Sequence, residues 1–217
     1  MMELLQELEE QGFAVIENAG FEDPNKILET TMADIAHPIS YLGLPMVMDL
    51  QPQPGYQPAS FAGTGVFNLH TDLTWHEKPP KYLGMYCVAY ESAGGGIPLL
   101  SDGWKAFHDL DEADQMALQK DSVSFTPPSH IDYPDLSGPI ISGESERPFV
   151  RFRYDMLTDP APYVTRYDQA VNRHVFEVRV SPGSIFIFDN YRMLHGRTEL
   201  QGGMTSDRHF KRIYGDV

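Results

Sequence analysis

The sequence predicts a mainly-β fold, a sandwich or barrel with flanking helices. Two observations carry this. Short apolar or alternating segments recur along the chain, cut apart by many of its 17 prolines and 18 glycines. They amount to roughly eight to ten strands at strand–turn–strand spacing. The helical patterns gather near the start and in the middle, so the regular strand–helix alternation of a doubly wound sheet is missing. At 217 residues the chain is long enough for one domain with a real core, and halving it would leave two small pieces. One domain over residues 1–217 is expected, with 1–58 as a helical and strand flank.

Leu4, Leu5 and Leu8 give residues 2–11 an apolar side among glutamates, the pattern of a short amphipathic helix. Gly12 ends it, and residues 13–17 read as a strand. Asp23-Pro24 is a cap followed by an early helical proline, so a helix is expected to run to about Ala36 and to close at His37-Pro38. Residues 46–50 read as a strand, and 51–58 as a loop by their prolines and glycine. A long loop there suits a wall or lid over a site as well as a plain surface excursion.

Strands are expected next at 66–70, 81–90 and 97–100, with a turn at Gly94-Gly95-Gly96. Two short helices follow at 104–110 and 111–119, then a strand at 122–125. Residues 126–148 are rich in Pro, Gly and Ser and read as a long excursion with one short strand near Ile140; His130 within it reads as a solvated loop histidine. Residues 148–154 read as a strand with Arg151 and Arg153 on one face. A helix around 165–173 leads to an alternating strand at 175–180, an apolar strand at 184–188 and a final strand at 208–214.

Sixteen basic residues against 31 acidic ones give a net charge of −15, which disfavours a nucleic-acid footprint or adhesion to anionic lipid. No apolar run approaches the roughly 20 residues of a membrane span. The acidic start, MMELLQELEEQ, has no apolar core of a secretory signal. The single cysteine, Cys87, sits in the apolar stretch 83–90 and reads as a structural thiol. The expectation is a cytoplasmic protein with a small-molecule partner, no nucleic acid and no membrane; assembly into a homo-oligomer is left open.

The chemistry centres on His70-Thr71-Asp72. At strand periodicity, two residues apart point the same way, so an imidazole and a carboxylate are offered together. His195 is the best third ligand: it follows the apolar strand and an Asp189-Asn190 segment, and Gly196 leaves room beside it. Two histidines and one carboxylate with open positions favour non-haem Fe(II). Zinc in a hydrolytic site is the alternative, with Glu77 as a conceivable base. Arg197 and Arg208 lie near His195 in sequence and offer planar forks for a carboxylate, where the plainer reading pairs them with surface acids.

These residues carry a resemblance. The stretch from Phe67 through His70 and Asp72, followed by Pro79-Pro80, the run from Gly95-Gly96 to Asp102-Gly103, the segment Phe188 to Arg197 with its Asp189-Asn190 and His195-Gly196, and Arg208 to Arg212 are similar to the Fe(II)/2-oxoglutarate-dependent dioxygenases of the taurine dioxygenase and γ-butyrobetaine hydroxylase superfamily. The similarity covers about residues 60–214. It implies a double-stranded β-helix (jelly roll, cupin-like). It implies that His70, Asp72 and His195 are the catalytic iron ligands, that Arg208 binds the far carboxylate of 2-oxoglutarate, and that Arg197 assists or braces that pocket. It also implies O₂ as second co-substrate and succinate and CO₂ as products of hydroxylation or a related C–H oxidation.

One departure stands out: many relatives place Thr or Ser after the double glycine to hydrogen-bond the co-substrate, and this chain has Ile97 and Pro98. Asp72 is present where halogenating relatives have a small residue, which favours hydroxylation. Substrate contacts are sought among Trp75, Tyr82, Tyr154 and Tyr191, which would suit a quaternary ammonium group as an aromatic cage, and among Arg151, Arg153 and Arg192. Amino acids, betaines and phosphonates fit such a site. Against the oxygenase stand two other readings, a zinc-dependent hydrolase or isomerase and a jelly-roll binding protein with a vestigial site.

Overall fold

The computed structural model describes residues 2–127, 131–144 and 147–217. Two antiparallel sheets face one another, their strands numbered in chain order. The larger contains β1 (Phe13–Ile16), β2 (His37–Ile39), β3 (Val47–Leu50), β5 (Tyr82–Ala89), β12 (Ile185–Asp189) and β14 (His209–Asp216). Its order is β1-β12-β5-β14-β2, and β3 shares the far edge of β14 with β2. The smaller sheet has the order β11 (Val175–Glu177), β6 (Pro98–Asp102), β13 (Met193–Arg197) and β4 (Phe67–His70). Two ribbons, β7 (Val123–Phe125) with β8 (Leu136–Gly138) and β9 (Ile141–Glu144) with β10 (Arg147–Val150), complete the strands among the described residues.

The apolar side chains sort into three layers. Leu83, Met85, Cys87, Phe186, Phe188 and Phe210 from the larger sheet meet Leu100 and Met193 from the smaller one. The outer face of the larger sheet, with Tyr86, Ile185, Ile187 and Ile213, is covered by α1 (Met2–Gln11) and α2 (Pro24–Ala33) through Leu8, Leu28 and Met32. The far face of the smaller sheet, with Leu69 and Leu194, packs under α3 (Gly103–His108), α4 (Glu112–Lys120) and α5 (Pro162–Arg173). Strand β12 explains its own apolar run: Phe186 and Phe188 point inward, Ile185 and Ile187 outward, and both faces are buried. Burying each such side chain contributes roughly 1.5–3 kcal/mol.

Local chemistry sets the boundaries. Asp23 Oδ1 accepts from the Lys26 N–H at 3.1 Å and Pro24 opens α2. Asp102 and Asp111 cap α3 and α4 in the same way. Gly12 has φ +83°, and a Cβ there would stand 2.7 Å from Met193 Sδ, so only glycine allows α1 to turn into β1 over β13. No described helix is long and apolar enough to cross a membrane.

The structure corrects three expectations. The second helix stops at Ala33 rather than Ala36, and His37-Pro38, expected to close it, belongs to β2, because a residue before proline is driven to extended backbone and an edge strand tolerates proline. Residues 1–58 are less a flank than part of the sheet, contributing β1, β2 and β3. The strand expected over 148–154 ends at Val150, and Arg151 and Arg153 part ways beyond it.

Candidate metal centre

The centre forms where β4 and β13 lie side by side, with His195 opposite His70 in register. Gly196 permits this approach: a Cβ there would meet Phe67 O at 2.5 Å. The room that Gly196 leaves beside His195 is taken up by the β4 backbone. Asp72 lies just past the strand end. Asn190 holds it there, Oδ1 accepting from the Asp72 N–H at 2.7 Å and Nδ2 donating to the Asp72 and Pro80 carbonyls at 3.2 and 3.0 Å. Thr71 is fixed against Phe152 from the other side, at 2.9 and 3.0 Å.

The three side chains converge: one ligand atom from each of His70, Asp72 and His195 lies within 4.8 Å of the others. Asp72 Oδ1 is 3.3 Å from His70 Nε2 and 3.8 Å from His195 Nε2. Neighbouring ligands at metal bond lengths of about 2.1 Å stand roughly 3 Å apart at a right angle. His70 Nδ1 lies 2.7 Å from the Asn68 carbonyl, which can only accept, so the ring proton sits on Nδ1 and Nε2 presents a lone pair. That lone pair faces a carboxylate oxygen, and His70 Nε2 is buried with no hydrogen-bond partner. Two acceptors held face to face in a buried site fit a cation between them.

The far oxygen of the same carboxylate is occupied. Arg212 Nη1 and the Tyr214 hydroxyl both donate to Asp72 Oδ2 at 2.8 Å. Burial by itself would raise the Asp72 pKa, but the Arg212 charge beside it holds it well below the usual carboxylate range. Burial, with His70 beside it, pushes His195 down to about 3, so this imidazole is neutral and able to bind metal.

The family model described as "Taurine catabolism dioxygenase TauD, TfdA family" matches residues 1–214. This chain belongs to the TauD/TfdA family. Human gamma-butyrobetaine dioxygenase is 27% identical over 174 residues, covering 70% of this chain and 45% of that protein. Clavaminate synthase 2 of Streptomyces clavuligerus is 26% identical over 182 residues, covering 76% and 55%. The chain thus spans about half the length of these curated relatives. Among crystal structures, asparagine oxygenase with Fe(II), 2S,3S-3-hydroxyasparagine and succinate superposes with a TM-score of 0.84 at 18% identity, over 99% of this chain and 78% of that one. The non-heme iron oxygenase OrfP with Fe and alpha-ketoglutaric acid gives 0.80 at 18%, over 99% and 78%. The fold is the jelly roll of the TauD-like oxygenases.

On this TauD/TfdA jelly roll, Arg208, Phe210, Arg212 and Tyr214 are buried residues at alternate positions of one strand run, so they share the face toward the site. Arg208 donates Nε to Gly96 O at 2.7 Å and stacks on Phe210, and no carboxylate among the described residues pairs with it. Burial, with Arg197 nearby, pulls its pKa below the usual guanidinium range, the condition of a cation short of an anion. Arg197 donates to the carbonyls of Ser60, Gly63, Gly65 and Thr198, and so ties down the loop ahead of β4. Pro98 pairs with Arg197 across β6 and β13, and the adjacent Ile97 N–H donates to Thr198 Oγ1 at 2.9 Å.

The proposed substrate contacts fare differently. Trp75 is buried in the helix-side core against Tyr133. Arg192 gives four of its five N–H groups to Asp102 and to the last carbonyls of α1, so it is a strut rather than a substrate contact. Tyr82 and Tyr191 flank Lys81, which pairs with Asp189 at 2.5 Å, and the Tyr191 hydroxyl donates to Pro79 O. Tyr154 packs on the helix-side core, its hydroxyl 3.1 Å from Thr165 Oγ1. Arg151 is committed to the carbonyls of Thr74, His76 and Glu77. Arg153 stays near the centre: its backbone bridges to His70 and its guanidinium lies 5.3 Å from the Phe67 ring, itself packed on His70. Glu77, the base a zinc hydrolase would need, is exposed. His130 lies outside the described residues.

Sequence reasoning missed Arg212, Tyr214 and Asn190. The first two were legible as the continuation of the alternation begun at Arg208. Asn190 stood in a segment the sequence marked, but nothing local named its partner, which is 118 residues away.

Proposed function

We propose that the chain is a non-haem iron oxygenase that couples oxidative decarboxylation of 2-oxoglutarate, to succinate and CO₂, to hydroxylation of a C–H bond in a small polar substrate. The observation that carries this is the buried His70–Asp72–His195 cluster, whose facing acceptors fit a divalent ion; three protein ligands on a six-coordinate ion would leave the remaining positions to co-substrate and O₂. Iron, when bound, supplies the activation of O₂. The residues supply placement and charge. His195 enters neutral, His70 turns Nε2 inward with Nδ1 held at the Asn68 carbonyl, and Asp72 enters ionised with Oδ2 already engaged, so only Oδ1 turns to the metal.

Arg208 receives the distal carboxylate of 2-oxoglutarate, which supplies the anion this buried guanidinium lacks. Arg197 acts one step away, fixing the 58–65 loop as a wall. Phe61, carried by that loop, lies 5.9 Å from the Arg212 guanidinium and shields it from water. Arg153, whose guanidinium pairs with Asp155 at 3.1 and 3.2 Å, would have to exchange that partner to bind a substrate carboxylate. The names of the relatives, which concern a betaine, asparagine and arginine, support a zwitterionic amino-acid or betaine substrate.

A succinate-release screen tests the reading: protein with Fe(II), 2-oxoglutarate and O₂ is offered amino acids, betaines and phosphonates in turn. One class raises succinate release well above the substrate-free rate, with a product heavier by one oxygen. Succinate at the free-iron background with every class contradicts it.

A further inference from the structure

Five aromatic rings make a continuous row from the metal centre toward solvent. Tyr214 donates its hydroxyl to Asp72 Oδ2 at 2.8 Å. The Tyr41 ring meets Tyr214 edge-on with 5.5 Å between centroids. His76 meets Tyr41 edge-on at 5.0 Å, and Tyr133 stacks on His76 at 4.9 Å. Trp75 closes on Tyr133 at 5.2 Å. Tyr214 and Tyr41 are buried, whereas His76 and Tyr133 are half-buried. The row therefore runs from a metal ligand to two half-buried rings, His76 and Tyr133, with Trp75 buried behind them. Its members come from four separate parts of the chain, and each ring touches the next.

We propose that this row is an electron relay that discharges the oxidised metal site when no substrate consumes its oxidising power. The proposal rests on the oxygenase reading. One electron leaves the Tyr214 ring for the metal site, and the phenolic proton moves along its hydrogen bond to Asp72 Oδ2. The carboxylate is a weak base, but an oxidised phenol is a far stronger acid than the phenol itself, so the transfer runs that way. Tyr41 then returns an electron to Tyr214, which takes its proton back from Asp72, while the Tyr41 hydroxyl keeps its own proton on the hydrogen bond to the Lys78 carbonyl at 3.0 Å and its ring carries the positive charge. Tyr41 is refilled from Tyr133 across His76, and Tyr133 from a one-electron reductant in solution, a thiol or an enediol. The net change is one electron moved from the reductant to the metal site, with the reductant's proton released to water. No bond between heavy atoms is made or broken.

The charges along the row set its direction. The Arg212 guanidinium lies 4.6 Å from the Tyr214 ring and disfavours positive charge there. Tyr41 lies in the field of Asp216, which favours positive charge on it. An electron vacancy created at Tyr214 is thus pushed outward, away from the ligands it would otherwise damage. The function is protection: the half-buried rings are oxidised and re-reduced in place of His70 and His195.

The test uses the Fe(II)-loaded chain in two arms without substrate, one with 2-oxoglutarate and O₂, the other with hydrogen peroxide in their place. Samples frozen during the reaction are read by electron paramagnetic resonance, and later samples by peptide mass spectrometry. The wild type gives an organic radical, and its oxidised residues gather at Tyr133, His76 and Trp75. In Tyr41→Phe, which touches no metal ligand, the radical stays at Tyr214 and oxidation moves to the peptides carrying His70 and His195 by several-fold. Tyr133→Leu, changed at the half-buried end, shifts the map the same way and guards against a folding defect in the first variant. No organic radical in either arm, or the same oxidation map in wild type and both variants, overturns the relay. A radical with peroxide alone, with oxidation gathered at Tyr133, His76 and Trp75 and displaced in both variants, upholds the relay and counts against the 2-oxoglutarate reading.

Discussion

Replacing Arg208 by Ala removes a guanidinium that is 5% exposed and holds only the Gly96 carbonyl among the described residues. Four N–H groups remain for an anion, with little water to screen them. Truncating one partner of a buried, hydrogen-bonded charge pair costs roughly 2–5 kcal/mol. At about 1.4 kcal/mol per factor of ten, that is a loss of about 30- to 4,000-fold in 2-oxoglutarate affinity. Arg208→Lys keeps the charge but loses the planar fork and falls between. The assay is anaerobic calorimetry of 2-oxoglutarate binding to Fe(II)-loaded protein, with Fe(II) affinity measured separately. The reasoning requires the first quantity to collapse and the second to hold. Affinity for 2-oxoglutarate within error of wild type, or an equal loss of both, refutes it.

Further outcomes follow from the same geometry. Tyr214→Phe removes a hydrogen bond to a charged carboxylate, worth about 1.5–3 kcal/mol, and weakens metal binding roughly tenfold or more; an unchanged metal titration would show that Arg212 alone holds Asp72. Gly196→Ala drives a Cβ onto Phe67 O and lowers the melting temperature together with metal affinity, whereas a fully stable variant would mean β4 and β13 can move apart. Arg197→Ala leaves several buried carbonyls without a donor, at about 1–3 kcal/mol for each group left unsatisfied, and opens residues 58–65 to proteolysis; a cleavage rate equal to wild type would deny the strap. His195 titrates near 6.5 when unfolded and about 3 when folded, so the unfolded chain binds the extra proton between those values. Metal-free protein therefore loses stability as pH falls from 6.5 toward 3, by at most about 1.4 kcal/mol per pH unit from this group. His195→Asn flattens that slope in urea titrations, and an identical slope would show that other groups set it.

Much of this centre was legible because its chemistry is local. His70 and Asp72 are two residues apart, and Gly196 marks the place where His195 meets another backbone. The apolar run over residues 184–188 was legible as a strand, and both faces of β12 prove to be buried. What failed was the direction of side chains outside regular strands. Asp72 is followed by Leu73 at φ +54°, a left-handed turn that no composition rule announces, and Trp75 beyond it lies in the core. Arg192 and Arg197 read as anion binders because both lie beside His195, yet their partners are carbonyls and a carboxylate 90 to 183 residues away, apart from the adjacent Thr198. Such pairings come from the closing of the two sheets.

The most direct measurement is an anaerobic titration of the Fe(II)-loaded chain with 2-oxoglutarate, followed by visible absorption. A metal held on one face by His70, Asp72 and His195, with adjacent positions open to a chelating keto acid, gives a charge-transfer band that saturates at one equivalent and is lost in His195→Ala. No band, with iron bound and the protein folded, would mean that the open positions are closed or absent.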